Sequence, residues 1–155
     1  TAAMVLADLS RQHNGFRFAV LGTDVSTEVL ETARRAIYPA DQVTPVPAEY
    51  QSRYLLWSRS PGLRREVRIV PELRRVARFD RLNLMDTTYP YDRNVDIILL
   101  RNVLIYFDKA DQAAVISRLV GHLRPGGYLL LGHSESMIGT SVPVRQVAPA
   151  VFQRV

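Results

Sequence analysis

Residues 95–131, VDIILLRNVLIYFDKADQAAVISRLVGHLRPGGYLLL, decide the fold class. Val95-Asp96-Ile97-Ile98-Leu99-Leu100 is a short, strongly apolar run of the kind that forms a strand buried on both faces. Residues 109–123 repeat apolar side chains at helical spacing, with Ala113, Ile116, Leu119, Val120 and Leu123 on one face and Asp108 placed to cap the first turn. Pro125-Gly126-Gly127 makes the turn, and residues 128–131 form the next buried strand. Strand, helix and strand in that order imply a crossover between parallel strands, because a parallel pair cannot be joined by a tight hairpin.

The same alternation extends outward. Residues 16–21 read as a strand ending at Gly22-Thr23-Asp24, and residues 28–38 as a helix capped by Ser26 or Thr27 and stopped by Pro39. That helix would turn Val29, Leu30, Ala33 and Ile37 inward. Residues 1–12 read as a helix with Ala2, Ala3, Leu6, Ala7 and Leu9 on its apolar face and Asn14-Gly15 as its stop. Between residues 40 and 65 lie Pro45, Pro47 and Pro61, with a short helix predicted over 47–56. Residues 67–70 and 75–79 alternate and predict two strands of a small antiparallel unit, inserted over about residues 57–81. Asn83-Leu84-Met85-Asp86 is a loop, and residues 142–155 predict a closing strand pair. The expected fold class is α/β with a mostly parallel sheet.

Composition excludes several classes. Apolar residues at 47% and charged residues at 23% describe a globular domain rather than a disordered segment. No run approaches the roughly 20 apolar residues that span a bilayer, and no charged-then-apolar leader is visible, so neither membrane insertion nor export is expected and the location reads as cytoplasmic. The absence of cysteine removes disulfides, thiol nucleophiles and cysteine metal sites, and His13, His122 and His133 are too scattered to predict a metal site. Nine arginines lie between Arg53 and Arg81 against only Glu66, Glu72 and Asp80, a bias that suits an acidic protein surface, a nucleic acid or a plain solvated face. Aromatic side chains that would stack bases are sparse there, so no nucleic-acid partner is expected.

Ligands of open parallel sheets bind beyond the carboxyl ends of the strands, and three such ends are polar. At Gly22-Thr23-Asp24, the carboxylate of Asp24 can accept hydrogen bonds from both hydroxyls of a ribose, or it can simply cap the following helix. At Arg101-Asn102-Val103-Leu104-Ile105-Tyr106-Phe107, an aliphatic strand runs straight into a charge, which is costly to bury without a partner. That break suggests a site; the alternative is an Arg101 ion pair and a core Tyr106. Gly132-His133-Ser134-Glu135-Ser136 looks only superficially like a nucleophile elbow, because serine stands where the motif needs its last glycine.

These stretches, together with Val25-Ser26-Thr27-Glu28-Val29-Leu30 and Asn83-Leu84, resemble the CheR family of S-adenosylmethionine-dependent chemotaxis receptor methyltransferases. They occur in the family's order and spacing over nearly the whole chain. The resemblance implies a class I, Rossmann-like methyltransferase fold and methyl transfer to receptor glutamates, with S-adenosylhomocysteine as the second product. It implies that Asp24 holds the ribose, that Asn83 and Leu84 border the adenine, and that Arg101 and Asn102 belong to the cofactor site. Arg101 and Tyr106 would line the place where sulfonium and glutamate meet. The implied partner is the cytoplasmic domain of a chemotaxis receptor, with a receptor C-terminal peptide docking on the small β-unit by strand addition.

The family also places a glycine-rich loop ahead of the helix that here begins at Thr1, and no Gly-x-Gly stands near that point. The expectation is therefore a partial catalytic domain over residues 1–155, incomplete at its N-terminus, with open strand edges inside the sheet. Such a fragment is expected to bind cofactor weakly and not turn over, unless the sheet rearranges or another copy fills the gap. Two other functions compete with receptor methylation: a non-catalytic module that docks receptors or a regulator, and a methyltransferase acting on a small molecule or RNA. Steep salt dependence would mark the RNA reading.

Overall fold

The computed structural model describes residues 1–58, 65–132, 135 and 141–155, and the chain divides into two compact units, Thr1–Asn83 and Leu84–Val155. The first unit contains α1 (Ala2–Gln12), β1 (Val20–Asp24), α2 (Thr27–Arg35), β2 (Ile37–Pro39), α3 (Ala48–Tyr54), β3 (Leu55–Trp57), β4 (Glu66–Ile69), α4 (Pro71–Val76) and β5 (Ala77–Arg81). A 3-10 turn at Ala40–Val43 joins β2 to the segment before α3. β1 and β5 pair in parallel, from Val20 opposite Ala77 to Asp24 opposite Arg81. β2, β4 and β3 form a separate antiparallel sheet with β4 in the middle.

Three expectations for this unit are corrected. The first strand runs over Val20–Asp24 rather than 16–21, so Gly22-Thr23-Asp24 is its end and not the turn after it; Phe16 and Phe18 stack on each other ahead of it. The second helix stops at Arg35 because Ala36 takes a left-handed conformation (φ 53°) that breaks the helical ladder. Ile37 and Tyr38 then enter β2 and pair with Arg68 and Val67. Residues 75–79 do not add to the antiparallel sheet. They close α4 and open β5, which belongs with β1; of the antiparallel strands at 37–39, 55–57 and 66–69, β4 answers to the strand expected at 67–70, while β2 and most of β3 lie ahead of residues 57–81.

The core of this unit gathers Met4, Val43, Tyr54, Leu55, Val67, Val70 and Leu73, with Ala3 and Ala7 packed against it. Met4 is the side chain α1 buries, whereas Leu9, expected on the inner face, is 38% exposed. Part of the arginine-rich segment is structural: Arg53 pairs with Asp8 and Arg78 with Asp80.

The second unit follows its expected course more closely. β6 (Val95–Leu100) has the predicted bounds, and α5 (Lys109–His122) starts with Asp108 accepting the Asp111 N–H at 2.8 Å. β7 (Leu123–Leu131) lies parallel to β6, but it starts before Pro125-Gly126-Gly127, and the register jumps from Val95–Leu123 to Ile97–Tyr128 where those residues bulge. β8 (Val144–Ala148) and β9 (Val151–Arg154) are the closing antiparallel pair, with β9 beside β7. Val115, Ile116, Leu119 and Val120 of α5 are buried together with Leu123, Leu129 and Phe152 of the sheet. Each such aliphatic side chain contributes about 1.5–3 kcal/mol. Arg154 donates to the carbonyls of Val120 and Leu123, satisfying the end of α5.

Among the described residues β1 has only β5 as a strand neighbour and β6 only β7. Leu21, Ile97 and Leu99 on these two edge strands stay about half exposed. No helix among the described residues is long and apolar enough to cross a membrane.

Candidate active site

In the first unit the carboxyl ends of β1 and β5 stay tied together past the ladder. Leu82 N–H donates to the Asp24 carbonyl at 3.0 Å, and Arg81 Nε donates to the Val25 carbonyl at 3.3 Å. The side chain of Asp24 does not cap α2. Ser26 does, accepting the Val29 N–H on Oγ at 3.3 Å, while Asp24 Oδ1 accepts the Ser26 N–H at 2.8 Å. This small turn orients the carboxylate and leaves Oδ2 without a hydrogen bond among the described residues. Asn83 follows two residues after β5, and Leu84 opens the second unit.

In the second unit β6 delivers Arg101 and Asn102 to a loop that closes in a 3-10 turn, Leu104–Tyr106. Asn102 is left-handed (φ 60°), a conformation asparagine tolerates better than most side chains. Leu104 is 2% exposed and anchors the loop from below, whereas Tyr106 is 80% exposed. The reading of Tyr106 as a core residue is thereby excluded. Arg101 is exposed and takes no part in the salt bridges of the described residues, so the ion-pair alternative finds no support either.

Two polar side chains hold this loop, buried Glu135 and half-buried Gln112, and sequence reasoning gave neither a role, although Glu135 stands in the third polar strand end. Glu135 Oε1 accepts the N–H groups of Val103 and Leu104, both at 2.8 Å, and Oε2 accepts the N–H of Gly132 at 2.6 Å. From the other side Gln112 Nε2 donates to the carbonyls of Leu104 at 2.9 Å and Phe107 at 3.0 Å. Burial raises the Glu135 pKa, but the backbone N–H groups of Gly132, Leu104, Val103 and Asn102 together outweigh it and leave the carboxyl below its ordinary value. The signal available in the sequence was a glutamate three residues after the glycine that ends an aliphatic strand. His133 and Ser134 lie outside the described residues.

The structure thus brings Asp24 and Asn83 to neighbouring strand ends of one unit, and Arg101, Asn102 and Tyr106 to one loop of the other. Among the described residues no cluster of His, Cys, Asp and Glu could hold a metal ion.

An acidic residue at the end of a parallel strand in the first unit, and a polar loop at the end of a parallel strand in the second, each mark the kind of strand end where α/β proteins bind ligands. The family comparison gives the chain a class: residues 1–151 match the CheR methyltransferase, SAM binding domain, and the chain belongs to this family. The family's cofactor is S-adenosylmethionine, as the resemblance implied. A chemotaxis protein methyltransferase of Borreliella burgdorferi (strain B31) is 32% identical over 99% of this chain and 53% of its own length. That of Escherichia coli (strain K12) is 38% identical over 86% of this chain and 46% of its own. The chain therefore spans about half the length of the curated relatives it matches. The solved glycopeptide N-methyltransferase MtfA aligns with a TM-score of 0.46 at 15% identity, over 94% of this chain and 59% of that one.

The chemistry of these side chains is compatible with the family's cofactor: in the first unit Asp24 has a carboxylate oxygen to spare, and in the second Arg101 is an exposed cation without a carboxylate partner among the described residues, beside an exposed Tyr106.

Proposed function

We propose that this chain carries the ribose, adenine and methyl-transfer side of an S-adenosylmethionine site that esterifies glutamate side chains of chemotaxis receptors. The observation that carries this reading is the exposure of Arg101 and Tyr106 on a loop whose backbone is held by buried Glu135 and half-buried Gln112. In this reading Asp24 accepts the ribose hydroxyls, Asn83 and Leu84 border the adenine, and Asn102 belongs with Arg101 to the cofactor wall.

The cofactor, when bound, supplies a methyl group on a sulfonium with a neutral thioether as leaving group. A glutamate is already ionised near neutral pH, so no residue of this chain has to remove a proton. The side chains act by placement. Arg101 pairs with a carboxylate and steadies it. Tyr106 donates its hydroxyl to the attacking carboxylate or turns its ring toward the positive sulfur. With the cofactor held there, its methyl would pass to one carboxylate oxygen and the electron pair of the broken bond would stay on sulfur.

The test is methyl transfer from labelled S-adenosylmethionine to a receptor cytoplasmic domain by the full polypeptide carrying this sequence. Label released as methanol in mild base identifies an ester. Cofactor binding with no label on any receptor would overturn the reading.

A docking role finds support of its own in the antiparallel sheet. Among the described residues β3 is an outer strand, and its Leu56 and Trp57 are 51% and 48% exposed. An outer strand with apolar side chains suits a receptor C-terminal peptide added as a further strand. Trp57 is the only tryptophan in the chain, so its emission reports directly on such binding. A titration of receptor peptide that leaves the emission unchanged speaks against this docking site.

A further inference from the structure

We infer that Glu135 is a positioning residue for methyl transfer: its carboxylate sets the Arg101–Tyr106 loop against the end of β7 and thereby aims the two side chains that meet the substrate. The inference rests on the methyl-transfer reading above, and it takes a residue which that reading uses only to hold the loop backbone and gives it a part in the rate.

The geometry separates this carboxylate from an ordinary buried acid. Glu135 is 8% exposed, yet no arginine, lysine or histidine is among its partners in the described residues. Among the described residues its charge is balanced by backbone dipoles. Oε1 takes Val103 and Leu104 from the loop, and Oε2 takes Gly132 from the strand end, so one side chain bridges two separate backbone segments. Peptide N–H groups converging on a carboxylate make charge-assisted bonds, which are shorter and stronger than neutral ones. The neighbouring backbone is shaped to the same purpose. A Cβ on Gly132 would lie 2.8 Å from Glu135 Oε2 and 2.9 Å from Asn102 Oδ1, so a side chain there would push the clamp apart. Leu104 fills the space beneath, and two residues later Tyr106 emerges almost fully exposed. The lever arm is short: a shift of Val103 and Leu104 moves Arg101 and Tyr106 with it.

Glu135→Gln keeps the shape but has only one acceptor oxygen. It can serve the loop or the strand end and not both, and its amide hydrogens face N–H groups at whichever end it gives up. An error of about 1 Å in the placement of reacting groups lowers rate on the order of 100-fold. A purely structural role would instead lower the melting temperature and leave kcat unchanged below it.

The experiment compares wild type, Glu135→Gln and Gly132→Ala in the full polypeptide. It measures kcat and KM for receptor methylation, cofactor affinity, and amide exchange of Val103, Leu104 and Gly132. The expected result for Glu135→Gln is a fall in kcat on the order of 100-fold with KM little changed. Exchange should accelerate at those three amides and not in β6 or β7. Wild-type kcat in both variants overturns the inference, as does a change confined to thermal stability. If Glu135→Gln does not fold, Gly132→Ala decides by the same criteria. If wild type itself neither binds cofactor nor transfers methyl, the underlying reading has failed and this inference falls with it; a fully active wild type with an unimpaired Glu135→Gln sinks only the positioning role.

Discussion

Tyr54 on α3 donates its hydroxyl to Asp8 Oδ1 on α1 at 2.8 Å, joining the N-terminal helix to the edge of the antiparallel sheet. The same carboxylate oxygen also takes the Arg53 guanidinium, and that cation sits 5.9 Å from the Tyr54 ring centre. Tyr54 is part of the core of the first unit, so this link is where α1 meets the core through a polar contact. It explains how a helix with a single buried side chain, Met4, keeps its place.

Tyr54→Phe keeps the ring and removes the hydroxyl. Urea unfolding should show a loss of about 1–2 kcal/mol, the worth of a hydrogen bond to a charged group that retains a second partner. No loss at all would mean that the Arg53 pair alone holds Asp8.

Acid should weaken both units. Asp8 has its pKa lowered by the hydrogen bonds from Tyr54 and Arg53, and Glu135 by its four backbone partners acting against burial. A carboxyl whose folded pKa is depressed contributes stability that is fully present above its unfolded value. That contribution is lost as pH falls from about 4 toward the lower folded value. Denaturation followed from pH 7 to 3 should therefore show a decline beginning near pH 4, and Asp8→Asn or Glu135→Gln should each flatten part of it.

Gly22→Ala should destabilise the β1–β5 pair. A Cβ at Gly22 would lie 2.7 Å from Cδ1 of Phe79, on the strand residue directly opposite. Overpacking of this kind costs about 1–3 kcal/mol. Phe79→Leu in the same chain should recover part of the loss, so a double-mutant cycle with no coupling would show that the ring simply moves aside.

Asp24→Ala and Tyr106→Phe should separate the two proposed sides of the site. Loss of the ribose acceptor should weaken S-adenosylhomocysteine binding by roughly 10–100-fold, the equivalent of a charged hydrogen bond of about 1.5–3 kcal/mol. Tyr106→Phe should leave that affinity almost unchanged and lower kcat for receptor methylation. Calorimetric titration and initial rates on the two variants read the difference; equal effects of both on binding would place Tyr106 in the cofactor wall.

The proposed site residues stand out in the sequence because chemistry and pattern disagree there. Arg101 and Asn102 interrupt an aliphatic strand, and Asp24 ends another, so residue type alone marked them. The positions of the small strands were not legible. Val29, Ala33 and Ile37 continue a helical spacing that nothing local contradicts. Yet Ala36 turns left-handed and its carbonyl accepts the Ile69 N–H at 3.0 Å, a bond to β4 that drafts Ile37 into a sheet. Strands of three residues, such as β2 and β3, are too short for a period of two to show. Residues 75–79 alternate as a strand should, but alternation does not say which partner a strand takes or in which direction.

By itself, the sequence determined the β6–α5–β7 unit, down to the bounds Val95–Leu100 and the Asp108 cap, along with the family to which the chain belongs. Those features depend on side chains close together in the chain, where apolar spacing and capping chemistry act directly. Tertiary structure decided what bridges distant residues: the parallel pairing of β1 with β5, the capture of Ile37 by β4, and above all the seat of Glu135. In the sequence that carboxylate belongs to a polar strand end, but nothing there says what it holds. Only when Val103 and Leu104 are folded back against Gly132, some 30 residues on, do their N–H groups converge on it and make it the point that holds the loop.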